Sequence, residues 1–280
     1  MTTRVALLTL LAMIAFAGNS LLCRLALKDT RIDAATFTAI RLISGTLVLW
    51  LIVRVRHNSN RGSRSWLSAF ALFAYAACFS FAYLSLPAGT GALLLFGAVQ
   101  ATMIGYGLWA GERLRTRQAA GFIFALGGLV LLVLPGLSAP PLLGSGLMLV
   151  AGVAWGVYSL RGRYSGEPIG TTAENFLRAV PLAIALSVIM APRFSFDRMG
   201  ALYAIVSGAL ASGVGYAIWY TAVRGLRATQ AATVQLSVPV IAAGGGIAFL
   251  GEHLGLRFII ASIAILGGIA LVIIEKEGFE

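Results

Sequence analysis

The chain is 280 residues long, 59% hydrophobic and 11% charged, with a formal net charge of +11 and a mean hydropathy of +0.90. Water-soluble domains carry roughly 25% charged residues, so this composition excludes a soluble globular protein and points to an integral membrane protein. The surplus positive charge is scattered through short loops between apolar runs, which argues against a nucleic-acid-binding face.

A spanning helix needs about 20 mostly apolar residues. Ten segments satisfy this: 4–23, 34–54, 66–86, 88–110, 116–135, 142–161, 172–191, 199–222, 228–250 and 256–274. The first begins with a basic residue and contains Ala15-Phe16-Ala17, the pattern of a cleavable signal peptide. A counterpart later in the chain argues that it is retained as a span. It carries Asn19 and Ser20. The second span holds Arg41. The third sets Tyr75, Phe79 and Tyr83 one turn apart with Cys78 beside them, and the fourth holds Gln100 and ends in "GERL" from Gly111.

The fifth span contains Gly127-Gly128. The sixth places Trp155 near its middle with Tyr158 and Ser159 one turn on. The seventh carries Arg178 four residues after Glu174, a spacing that allows an ion pair on one helix face. The eighth holds Tyr216 and Tyr220. The ninth holds Gln235 and Ser237, is interrupted by Pro239, and ends in "GEHL" from Gly251; the tenth contains Gly267-Gly268. Trp50, Trp66 and Trp109 fall near span ends, where tryptophan anchors to lipid headgroups.

With ten spans the loops fall on two sides. One side carries 13 basic residues, from Arg4, Arg54, Arg56, Arg61 and Arg64 through Arg113, Arg115, Arg117, Arg161, Arg163, Arg224 and Arg227 to Lys276. The other carries 6: Arg24, Lys28, Arg31, Arg193, Arg198 and Arg257. The positive-inside rule puts the richer side, with both termini, in the cytoplasm.

The chain also repeats itself. Gly111-Glu112 recurs as Gly251-Glu252, Leu114 as Leu254 and Gly127-Gly128 as Gly267-Gly268, all 140 residues on; Arg41 recurs as Arg178 and Tyr83 as Tyr220 at 137, and Gly18 as Gly156 at 138. The expected fold is all-α, ten transmembrane helices in two five-helix repeats, residues 1–136 and 137–280. Five is odd, so the second repeat enters the membrane inverted. Inverted repeats are a plan of secondary transporters, with the substrate site near the midplane between the halves.

The order of these motifs resembles the drug/metabolite transporter superfamily in its ten-helix EamA-type branch. Ala17-Gly18-Asn19 and Trp155-Gly156 in the first span of each half carry the resemblance, with "AIRLISG" and "FLRAVP" around Arg41 and Arg178, then "GERL" with "ALGGLVLL" and "GEHL" with "ILGGIALV". The chain is most similar to the aromatic-amino-acid exporter type. The resemblance implies export of small metabolites or amino acids. One departure is Ala17, where the second half has Trp155.

The candidate substrate-binding residues are Asn19, Tyr75, Phe79, Tyr83, Gln100, Trp155, Tyr158, Ser159, Tyr216, Tyr220 and Gln235. Each aromatic either lines a cavity or packs between helices. Each amide either meets a substrate or bonds across helices, since polar groups in hydrocarbon need partners. Arg41 and Arg178 lie inside spans, close enough to helix ends to snorkel, and are assigned with Glu112 and Glu252 to gating or structural roles. An acid before a helix start favours the positive end of that helix's dipole. No Walker motif, GxSxG or intramembrane carboxylate pair occurs, so no enzyme, cofactor or metal is expected. The expected protein is a monomeric inner-membrane exporter of amino acids or related metabolites, with a lipid bilayer and a small-molecule substrate as its partners and no nucleic acid. Export of cationic drugs or of sugar phosphates is the alternative; the former wants a buried carboxylate and the latter several convergent cations.

Overall fold

The computed structural model describes residues 2–56, 65–111, 114–134, 139–162, 167–226, 234–253 and 255–274. Among the described residues there is no strand. Ten helices follow one another: α1 Thr3–Asp29, α2 Ala34–Val55, α3 Trp66–Tyr83, α4 Ala88–Trp109, α5 Thr116–Val133, α6 Leu142–Gly162, α7 Pro168–Ile189, α8 Arg198–Ala222, α9 Ser237–Leu250 and α10 Leu256–Ile274. The first eight are long and apolar enough to cross a bilayer; α9 and α10, with side chains of the latter described as far as Val272, are shorter apolar helices. A helix of 22 residues is about 33 Å long at 1.5 Å per residue, matching a hydrocarbon core of about 30 Å.

Several helices depart from the expected spans. Helix α1 continues past residue 23 to Asp29, because Arg24 and Lys28 turn onto the carbonyls of Tyr83, Leu84 and Leu250. Helix α7 starts at Pro168 rather than 172, with Glu167 capping the Gly170 amide. Helix α8 is not uniformly α-helical: Ser207–Val214 is wound as a π-helix. Helix α9 restarts at Ser237 after a turn at Leu236, so Pro239 sits in a first turn, where its missing N–H leaves no helix bond unmade. The preceding part of the expected ninth span, 228–233, lies outside the described residues, as does Glu112.

Helix ends gather at two opposite poles. At one, the Glu252 carboxylate joins the α9–α10 corner to α1 and α4, Arg257 reaches the Leu134 carbonyl at the end of α5, and Asp33 before α2 accepts from Ser195 before α8. At the other, Arg161 near the end of α6 bonds Ser65 and Ser68 at the start of α3, and Gln118 at the start of α5 bonds the Val272 carbonyl late in α10. Successive helices therefore alternate in direction. Trp50, Trp66 and Trp109 are all exposed at the Arg161 pole, with Arg54 stacked 4.6 Å from the Trp50 ring centre.

The outer surface carries Leu47, Ile123, Phe124, Leu143, Val188, Phe249 and Ile263 largely exposed. A continuous apolar coat of this kind belongs in lipid. Inside, small residues let the helices close up. A Cβ at Gly121 would lie 2.6 Å from the Gly268 carbonyl oxygen, and one at Gly128 would lie 3.1 Å from the Ala261 carbonyl oxygen. These two contacts exchange when 140 is added to one partner and subtracted from the other. The most extensive helix pairings behave likewise: α3 with α6 is matched by α8 with α1, α4 with α6 by α9 with α1, and α2 with α8 by α7 with α3, while α2–α7, α4–α9 and α5–α10 pair with themselves.

Candidate substrate site

Among the described residues, two cavities between the helices stand out. The first is central and small, about 20 Å3, room for about one water molecule. Helix α1 supplies Phe16, Asn19 and Ser20 to it, α3 supplies Tyr75 and Phe79, α6 supplies Trp155, and α8 supplies Tyr216. Trp155 is its organising ring. Its centroid lies 4.8 Å from Tyr75, 5.2 Å from Tyr216 and 5.3 Å from Tyr158. Phe16 meets Tyr216 edge-on at 5.8 Å. Tilted and edge-on pairs at these separations are favourable for aromatic quadrupoles.

The second cavity is a vestibule of about 500 Å3 at the Arg161 pole. Tyr158, Thr172, Asn175 and Tyr220 form its inner wall, and exposed Tyr106 and Arg161 stand at its rim. Tyr158 donates to the Thr172 hydroxyl at 3.4 Å. The Oδ1 of Asn175 is buried and has no hydrogen-bond partner among the described residues. Trp155 faces the central cavity while its ring partner Tyr158 faces the vestibule, so this stacked pair is the partition between the two spaces.

The opposite pole is tied shut. Glu252 accepts from Arg24 Nε at 3.4 Å and from the Ala88 amide at 2.8 Å, and Arg24 Nη1 donates to the Tyr83 carbonyl at 2.9 Å. The carboxylate does sit at a helix N-terminus, but at that of α4 in the other half of the chain rather than at that of α10, which follows it. The motif's glycine has its own task. Gly251 ends α9 with φ of 61° and Gly111 follows α4 with φ of 93°, left-handed values that glycine adopts without a Cβ penalty.

Behind the central cavity lies a polar network. Arg41 is 1% exposed and does not reach either surface. Its Nη2 donates to the Tyr75 hydroxyl at 3.1 Å and its Nε to the Ser212 hydroxyl at 3.4 Å, while its guanidinium lies 5.0 Å from the Phe79 ring centre. Asn19 donates to the same Tyr75 oxygen at 3.2 Å and accepts from Ser207 at 2.6 Å. Arg178, by contrast, is half-buried and paired with Glu174 at 2.8 Å.

Of the candidate residues, Asn19, Tyr75, Phe79, Trp155 and Tyr216 come together at the central cavity, and Tyr158 and Tyr220 at the vestibule. Tyr83, Gln100, Ser159 and Gln235 line neither. Tyr83 is fully buried and donates to the Ala88 carbonyl at 3.2 Å, which fixes the α3–α4 corner. Sequence reasoning did not single out Ser207 and Ser212. They lie five residues apart, and an α-helix at about 100° per residue would splay them across two faces. The π-helical winding turns both toward α1 and α2. The only trace of it in the sequence is the run of small residues "SGALASG". Among the described residues no three His, Cys, Asp or Glu side chains cluster as metal ligands do.

A helical integral membrane protein with an aromatic and polar cavity at its centre, divided by a ring pair from a vestibule at one pole and bounded by ion-paired helix ends at the other, has the construction of a membrane carrier. The EamA-like transporter family model matches residues 3–134 and again residues 142–274, and the chain belongs to that family, within the drug/metabolite transporter superfamily. Its relatives include an uncharacterized protein of Pseudomonas aeruginosa, 55% identical over 276 residues that cover 98% of this chain and 96% of the relative. An uncharacterized transporter of Archaeoglobus fulgidus is 26% identical over 97% of this chain and 98% of its own length. A solved structure described only as the crystal structure of a protein shares the fold, with a TM-score of 0.70, 18% identity and full coverage of both chains.

Proposed function

We propose that this transporter exports amino acids with aromatic or other apolar side chains by alternating access between two inverted repeats, residues 1–136 and 137–280. It works as a monomer in the inner membrane with both termini in the cytoplasm. The observation that carries the substrate reading is the ring cluster of Trp155 with Tyr75, Tyr158 and Tyr216, which walls both cavities and sits beside the polar groups of Asn19 and Tyr75. A flat apolar side chain stacks on such rings, and the amide and hydroxyl bond the polar end of the same molecule. The central cavity is too small for an amino acid as it stands, so loading requires Trp155 to move aside.

The two-fold match of the family model, the mated helix pairings and the exchanged contacts at Gly121 and Gly128 support the inverted repeat. The excess of arginine in the loops at the Arg161 pole supports a cytoplasmic location for that pole. The vestibule then opens to the cytoplasm, as loading for export requires. No carboxylate lines either cavity among the described residues, which favours facilitated diffusion over proton coupling and disfavours cationic drugs. The test is a competition screen of amino acids against labelled phenylalanine in proteoliposomes. Competition by aromatic, leucine and methionine side chains but not by lysine or glutamate is expected. Competition only by cations or phosphorylated sugars would overturn the reading.

A further inference from the structure

We infer that Arg41 is the receptor for a carboxylate, and that the molecules carried through the central cavity bear one. The inference rests on reading that cavity as the substrate site, and adds the chemistry of its polar end. A buried cation needs a counter-charge or a full set of acceptors; without them its desolvation is expensive. Arg41 is buried, and the groups around it are neutral: the Tyr75 and Ser212 hydroxyls and the Tyr75 and Phe79 rings. No carboxylate lies within ion-pairing distance among the described residues, and Nη1 is buried with no hydrogen-bond partner there.

The internal repeat sharpens this. Arg178 stands 137 residues after Arg41 and is neutralised by Glu174, four residues before it. The position 137 residues before Glu174 is Phe37, fully buried. One arginine of the matched pair thus has an acid of its own, and the other does not. Tyr75 completes the site. Its oxygen accepts from both Arg41 and Asn19, which occupies both lone pairs and leaves its proton to donate. Tyr75 and Phe79 both face the cavity. Arg41 lies behind this wall, bonded to the Tyr75 hydroxyl, so a guanidinium N–H and a phenolic O–H stand together one side chain back from that space, the donor set that a carboxylate accepts in charge-assisted bonds. With the carboxylate at Arg41, the aromatic part falls toward Trp155 and Tyr216.

Four probes separate the parts: phenylalanine, phenylalaninamide, 3-phenylpropionate and 2-phenylethylamine, titrated calorimetrically into the purified full-length protein in detergent. Phenylalanine and 3-phenylpropionate are expected to bind roughly tenfold or more tightly than the two probes without a carboxylate. Arg41→Gln removes that ratio, Arg41→Lys keeps part of it, and Trp155→Ala weakens all four while preserving it. Equal binding of phenylalanine and phenylalaninamide to the unaltered protein would overturn the inference without any variant having to fold, as would an unchanged ratio in Arg41→Gln. If no aromatic probe binds but hexanoate binds over hexylamine in an Arg41-dependent way, the carboxylate receptor stands and the aromatic substrate reading falls.

Discussion

Trp155 stands where vestibule and central cavity meet, with three tyrosine rings within 5.3 Å. It is only partly buried, so truncation opens the partition more than it empties a core. Trp155→Ala is expected to lower initial transport rates at least tenfold, with elution from size-exclusion chromatography unchanged; transport at the wild-type rate would show that the ring only packs. Tyr83 is a different case. Its hydroxyl holds the Ala88 carbonyl and its ring lies 2.5 Å from where a Gly91 Cβ would be. Tyr83→Phe removes one buried hydrogen bond, a loss of about 1 kcal/mol. A lower midpoint of thermal unfolding with unchanged substrate affinity is the expected outcome. These two aromatics read alike in sequence; only their neighbours separate a cavity wall from a corner pin.

At the scale of the element, α8 is the helix whose conformation matters most. Its π-helical stretch lies against α2 so closely that a Cβ at Gly208 would collide with the Arg41 carbonyl oxygen and the Ser44 hydroxyl. Such stretches recur at functional sites, and here the winding brings Ser212 to Arg41 and Ser207 to Asn19. Gly208→Ala is expected to push α2 and α8 apart, costing about 1–3 kcal/mol as overpacking does. Selectivity for carboxylates should fall along with stability, read by the same calorimetric probe series. Gly268 is a packing glycine of another sort, set against Gly121 on α5, and neither glycine lines either cavity. Gly268→Val should lower the unfolding midpoint while leaving the probe ratios of the folded fraction intact.

For the whole molecule the question is how one pole is kept shut while the other is open. Glu252 joins α1, the α4 N-terminus and the α9–α10 corner through Arg24 and the Ala88 amide, with both ionised side chains largely buried. Glu252→Gln keeps an acceptor for Ala88 but loses the charge opposite Arg24, a cost of about 1–3 kcal/mol. Cys23 is fully buried beside Arg24 and reports on this pole. In a Cys78→Ser background, Glu252→Gln should speed labelling of Cys23 by a membrane-impermeant maleimide from the side facing the Glu252 pole. An unchanged labelling rate would show that the pair does not hold the pole closed.

The sequence alone determined that the protein is an all-helical membrane protein, the approximate place of its spans, and its family. These follow from apolar run length and from motifs in the same order in both halves, which are local properties of the chain. It also marked Trp155, Tyr75 and Tyr216 as candidates, because mid-span aromatics are few enough to weigh one by one. It set Glu174 four residues before Arg178, within pairing reach, but it could not say that Arg41 is sealed inside without an acid, since both are arginines at matched depths in the helices of the repeat. Nor could it show that α8 is wound as a π-helix, or that Glu252 acts on a helix 164 residues away. Those are decided by which helices meet, and in a bundle held by small residues and interhelical hydrogen bonds the meeting is a property of tertiary packing.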